Sequence, residues 1–238
     1  MKTRGLIFDY GGTLDTGGCH WGKVLWHAYR KCNAPVSEEH FRQAYVYGER
    51  TLATKRIIMP GMTFRDTLDN KITLQMEWLS QNTGMADSGK LHDHILSETY
   101  SVARHTTAES ALTLRRLAEQ MPMVLVSNFY GNINAVLSEF GFEGIFSHVI
   151  ESAVVGIRKP DPRIFALGVE RLGMKAEETA VVGDSYDKDI LPAHSIGCRT
   201  VWIKGEGWTD DEPQNPIADS IIYKLAELNT LLPQWQRG

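Results

Sequence analysis

Carboxylates, a hydroxyl and a lysine stand in this chain where apolar runs give way to turns. The first run, Leu6-Ile7-Phe8, ends on Asp9, and the turn that follows reads Tyr10-Gly11-Gly12-Thr13-Leu14-Asp15. A carboxylate there can attack an electrophile or hold a cation, and glycine lets backbone amides come close to an anion. A second run, Met123–Val126, ends on Ser127-Asn128. Lys159 stands in the loop Gly156-Ile157-Arg158-Lys159-Pro160-Asp161-Pro162, just ahead of a helix start. A third run, Thr179–Gly183, leads into Asp184-Ser185-Tyr186-Asp187-Lys188-Asp189. Ligands of open α/β sheets bind beyond the carboxyl ends of the strands, so Asp9, Ser127 and Asp184 are expected to converge. Crowded carboxylates repel unless a cation neutralises them, and magnesium suits an all-oxygen site. Ser127 and Asn128 can hydrogen-bond a phosphate, Lys159 can neutralise it, and Thr13 with the Gly12 amide can complete a cradle. Phosphoryl transfer needs this mixture of donors and cations, because its catalysis is mostly positioning and charge stabilisation.

The elements that must position these residues are legible too. Strand-like runs at Arg4–Asp9, Met123–Ser127, His148–Glu151, Thr179–Gly183 and Thr200–Ile203 are short and apolar without clear alternation. That is the pattern of parallel strands covered on both faces. Helical segments alternate with them from Thr106 onward. Thr106-Thr107-Ala108-Glu109 reads as a capping box opening Ala108–Glu119, Ile133–Phe140 stops at Gly141, and Asp161-Pro162 opens a helix that Gly173 ends. Right-handed βαβ units and a doubly wound α/β sheet follow. Residues 16–105 differ: helices are predicted over Trp21–Cys32, Ser37–Thr54, Arg65–Thr83 and Asp87–Arg104, with no convincing strand.

Taken together and in order, the four motif segments resemble those of the haloacid dehalogenase-like (HAD) superfamily. The resemblance covers the start of the chain and roughly its C-terminal half. It implies a Rossmann-like core formed by residues 1–15 and 106–238, with an inserted all-helical (C1-type) cap at 16–105 that closes over the site. It makes Asp9 the nucleophile that becomes an aspartyl-phosphate. It places magnesium on Asp9, the Gly11 carbonyl and Asp184, with Asp189 in support. The implied reaction is hydrolysis of a small phosphorylated molecule, with Lys159 acting on the nucleophile and the transferring group.

Gly11 departs from the pattern. Phosphatases of the superfamily usually carry an aspartate there, which protonates the leaving alcohol and later activates water. Such proton transfer is worth roughly 10²–10⁴-fold. Asp15, His20 and Glu49 are candidate substitutes. Two branches that lack this aspartate come into view. The dehalogenases depart from the Gly183-Asp184 pattern kept here, and the phosphonoacetaldehyde hydrolases use a cap lysine, for which Lys55 is a candidate. A phosphate-binding or regulatory protein without catalysis is the rival from another class.

Composition sets the outer bounds. The chain has 238 residues, a net charge of −4, and 42% hydrophobic and 23% charged residues. That argues against nucleic acid or an anionic membrane surface as partner. Three dispersed cysteines without CxxC spacing suit a reducing compartment. The apolar run before Asp9 is too short for a signal peptide, and no run approaches the ~20 residues that cross a bilayer. The expectation is a cytoplasmic protein. His92-Asp93-His94 sits at a spacing that splits helix faces and reads as a solvated surface. Arg50 reads as a surface arginine by default.

Overall fold

The computed structural model describes residues 2–86, 89–209, 211 and 213–237. The chain enters through β1 (Gly5–Phe8), then runs through four helices: α1 (Trp21–Lys31), α2 (Glu38–Thr54), α3 (Phe64–Thr83) and α4 (Gly89–Ala118). It returns as β2 (Met123–Ser127), α5 (Ile133–Glu139), β3 (His148–Glu151), α6 (Ser152–Val155) and α7 (Arg163–Leu172). It continues as β4 (Thr179–Gly183), α8 (Leu191–Ser195), β5 (Arg199–Ile203), β6 (Ser220–Ile222) and α9 (Leu228–Arg237). Among the described residues the strands form one parallel sheet in the order β3-β2-β1-β4-β5-β6.

β1 is interior, with Leu6 opposite Met123 on one side and Phe8 opposite Val182 on the other. Leu6, Ile7 and Phe8 are fully buried, each contributing roughly 1.5–3 kcal/mol of apolar burial. The chain passes to β2 and β3 on one side of β1 and to β4 through β6 on the other. The carboxyl ends of β1, β2 and β4 therefore flank a topological switch point, where open α/β sheets leave a crevice.

Local signals set the helix ends between β1 and β2. His20 Nδ1 accepts the Gly22 amide at the start of α1, Ser37 caps α2, and Thr63 and Asp66 form a reciprocal capping box on α3. α2 and α3 pack along Phe41, Ala44, Tyr45, Leu68, Ile72 and Met76, all buried. Among the described residues no strand lies between β1 and β2, and no helix is long and apolar enough to cross a membrane.

Three elements depart from expectation. The helices expected over Asp87–Arg104 and Ala108–Glu119 are one continuous α4, whose expected start at Asp87 lies outside the described residues. Thr106 does not cap: it lies inside the helix, and the next hydroxyl, that of Thr107, donates back to the Ala103 carbonyl at 2.7 Å, a bond made within a running helix. With no glycine or proline nearby, nothing stops the helix, and Ser110 then ties it to the Leu14 carbonyl at 2.8 Å. β6 is a three-residue strand at the sheet edge, too short to carry a pattern. α9 contains Pro233, the kind of residue that argues against a helix in sequence.

Candidate active site

β1 and β4 run side by side with Phe8 opposite Val182, so Asp9 and Asp184, the first residues beyond each, emerge one residue apart at the same end of the sheet. Gly12 lets them close up. Its φ is +99°, and a Cβ there would fall 2.3 Å from Asp184 Oδ2, so a side chain is excluded by conformation and by contact. Thr13 knits the acids together: its hydroxyl donates to Asp184 Oδ1 at 2.9 Å, lies 3.1 Å from Asp9 Oδ2, and accepts the Asp184 amide at 3.0 Å. Asp189 is delivered by a wide π-type turn over Tyr186–Ile190, which returns its Oδ2 to the Ser185 amide at 3.0 Å. One carboxylate oxygen from each of Asp9, Asp184 and Asp189 lies within 4.8 Å of the others.

A single buried lysine answers these charges. Lys159 Nζ donates to Asp9 Oδ1, and to Asp189 Oδ1 at 2.7 Å. Asn128 positions it through two bonds between its amide and the Lys159 backbone, at 2.9 and 3.0 Å. Burial, then the charges of Asp9 and Asp189, push the Asp184 carboxyl well above the usual range. Burial also lifts Asp189, to about 6, against the pull of Lys159. A set of oxygen donors that resists its own ionisation fits a hard divalent cation, which restores the charge balance. Gly11 lines the same cavity, and its carbonyl accepts no hydrogen bond among the described residues.

The cavity above this cluster measures about 180 Å³. Its floor is Asp9, Gly11, Gly12, Ser127, Asn128, Lys159, Asp184 and Asp189. Its roof comes from the helices after β1, through His20, Trp21, Tyr45, Glu49, Phe64, Thr67, Leu68 and Lys71. Ser127 is buried and lines the cavity, and its hydroxyl makes no hydrogen bond among the described residues.

Three expected phosphate contacts turn out to be engaged inside the protein. The Gly12 amide donates to Asp15 Oδ1 at 2.7 Å, the Thr13 hydroxyl serves the acids, and the Asn128 amide holds the Lys159 backbone. These bonds shape the floor of the site around Asp9, Asp184 and Lys159.

The substitutes considered for position 11 also fall into place. Asp15 sits behind the turn and outside the cavity lining, accepting from Gly12 and from Trp21 Nε1 at 3.0 Å. His20 spends Nδ1 on its cap, and burial lowers it to about 4, so it is neutral at ordinary pH. Glu49 is held ionised by Lys71, 2.6 Å away. Lys55 is exposed and lies outside this cavity, which removes it as the lysine of a phosphonoacetaldehyde hydrolase-like site. Arg50 is exposed and also outside it.

Sequence reasoning overlooked Lys71, although a signal existed. On α3 the buried positions run Leu68, Lys71, Ile72, Gln75, Met76 and Leu79, so Lys71 and Gln75 interrupt an apolar stripe at helical spacing. Tyr130 and Arg158 also line the cavity and were not singled out.

Asp15 gives a pH test of this packing. Burial pushes its carboxyl up to about 7 from an ordinary 3.8. A carboxyl raised on folding contributes stability that is complete below its unfolded value and lost as pH rises through the folded one. Wild-type melting temperature should therefore fall between about pH 4 and pH 7 through this group, and Asp15→Asn should flatten that part of the profile. Parallel profiles for the two proteins would contradict the assignment.

The haloacid dehalogenase-like hydrolase family model matches residues 3–197, and the chain belongs to that family. Over 94 residues it is 42% identical to a glyceraldehyde 3-phosphate phosphatase of Methanopyrus kandleri, a match covering 39% of this chain and 40% of that protein. The chain thus spans about 40% of the length of that curated relative. In fold it is similar to a dehalogenase solved with an intermediate complex, at a TM-score of 0.67 and 19% identity over 97% of both chains. It is likewise similar to the HAD phosphatase of Thermococcus onnurineus, at a TM-score of 0.54 and 24% identity over 98% of both chains.

Proposed function

We propose that this protein is a magnesium-dependent phosphatase of small phosphate monoesters, with Asp9 as nucleophile. One observation carries the reading: three carboxylates gather with one buried lysine at the ends of β1 and β4, on the floor of a small cavity that the helices after β1 roof in part. A binding protein has no use for a carboxylate held so close to two others, whereas phosphoryl transfer uses both the attacking oxygen and the cation that the others hold.

In this reading Asp9, the Gly11 carbonyl and Asp184 hold magnesium, with Asp189 in support. The ion supplies charge for the transferring phosphoryl group. Lys159 keeps the Asp9 oxygens oriented and neutralises charge beside them. Ser127 donates to a phosphate oxygen. Asp9 attacks phosphorus as the bond to the leaving oxygen breaks, and water then attacks the aspartyl-phosphate and returns Asp9 as carboxylate. Residues 16–105 act as a cap that limits substrate size and excludes bulk water. The cavity lies below the ~300–1,000 Å³ of typical ligand pockets, which favours a small metabolite.

The acids against which a dehalogenase gains nothing are the ones a metal needs. Titration calorimetry with magnesium should show binding to wild type and a loss of at least roughly 10-fold in affinity for Asp184→Asn, since one anionic ligand is gone. Unchanged affinity would place the metal elsewhere.

A further inference from the structure

We propose that Lys71 is the proton donor to the leaving group and does the work that a carboxylate at position 11 would otherwise do. This rests on the phosphatase reading above. Gly11 has no conformational need to be glycine, since its φ is not positive and a Cβ there would meet no atom closer than Trp21 Nε1, at 4.0 Å. The empty side-chain position opens toward that indole. Lys71 Nζ lies 6.0 Å from the centroid of the Trp21 ring, so the ammonium and the open Gly11 position share that indole as a neighbour. Both residues line the cavity that contains Asp9, and a leaving group beside Asp9 in so small a space also reaches the roof.

Lys71 is built into its place. It is buried, 2.6 Å from Glu49 Oε1, and 5.7 Å from the Tyr130 ring centroid, while the Tyr130 hydroxyl donates to Glu49 Oε2 at 3.0 Å. A buried lysine in a cap helix costs desolvation that one ion pair repays only in part, and packing alone gives no reason to keep it on an apolar stripe.

The protons balance over the cycle. As Asp9 bonds to phosphorus, the leaving oxygen keeps the electron pair of the broken P–O bond and takes a proton from Lys71 Nζ, giving the free alcohol and a neutral amine. In the second step the amine takes a proton from the attacking water as its oxygen bonds to phosphorus and the bond to Asp9 breaks. The ammonium and the Asp9 carboxylate are restored. Esters of aliphatic alcohols depend on this proton, and aryl esters do not.

Single-turnover release of the leaving group, measured with magnesium present, separates the roles. Lys71→Met should slow release from glycerol phosphate by ~10²-fold or more while changing nitrophenyl phosphate by less than ~5-fold. The double variant Lys71→Met/Glu49→Gln leaves no unpaired buried carboxylate and should show the same split. Adding Gly11→Asp to Lys71→Met should recover at least ~10-fold on glycerol phosphate. Equal losses on both esters in the single and double variants, or no loss on either, would overturn the proposal while leaving the phosphatase reading intact. A wild type that transfers a phosphoryl group from neither ester would overturn that reading, and the role of Lys71 with it.

Discussion

Asp9→Asn should lower hydrolysis of every phosphate monoester the wild type accepts by at least ~10³-fold, because it removes the group that forms the covalent bond. The change is nearly isosteric, and the fold around it is over-determined: β1 is interior and Asp9 accepts from both Lys159 and Thr13. The variant should therefore remain folded. Its near-ultraviolet circular dichroism should match wild type while its activity does not. Substantial residual turnover would mean that water attacks phosphorus directly and that Asp9 serves only the cation.

Lys159→Met should have the largest effect on stability. The lysine lies between Asp9 and Asp189, is itself buried, and is the cation bonded to that cluster. Removing one partner of a buried ion pair costs ~3–5 kcal/mol, because the remaining charges are left without compensation. The sign with pH follows from Asp189, which burial already lifts to about 6 while Lys159 holds it down. Without the lysine the carboxyls rise further, and stability tied to a raised carboxyl is lost as pH climbs. Urea titrations in chelator should thus show a deficit that is small near pH 5 and large near pH 8, and magnesium should recover part of it by binding the folded state. A deficit equal at both pH values would point to lost packing instead of uncompensated charge.

The sheet and the chemistry at its strand ends were legible because each rests on a local signal. β1, β2 and β4 are short, largely apolar runs that lead into polar residues, and α1 to α3 begin at His20, Ser37 and Thr63, residues whose side chains cap at short range. Convergence of Asp9 with Asp184 followed from parallel strands sharing an end. What stayed hidden depends on partners far away in the chain. Nothing local to Thr13 says that its hydroxyl bonds Asp184, across the β1–β4 pairing. Nothing local to Asn128 says that its side chain holds the Lys159 backbone. The joint at Thr106 was misread because a capping box is a local pattern that a longer helix can simply run through. Lys71 escaped because a lone lysine in a helix is ordinarily a surface residue, and only the stripe around it said otherwise.

The central claim is that Asp9 carries the phosphoryl group, and it can be read directly. Wild-type protein mixed with magnesium and nitrophenyl phosphate, quenched in acid within one turnover and digested, should yield the peptide containing Asp9 with the added mass of one phosphoryl group. The same peptide from Asp9→Asn should be unmodified. Turnover that proceeds with no phosphorylated peptide at any quench time, or with the group on a residue other than Asp9, would contradict the account.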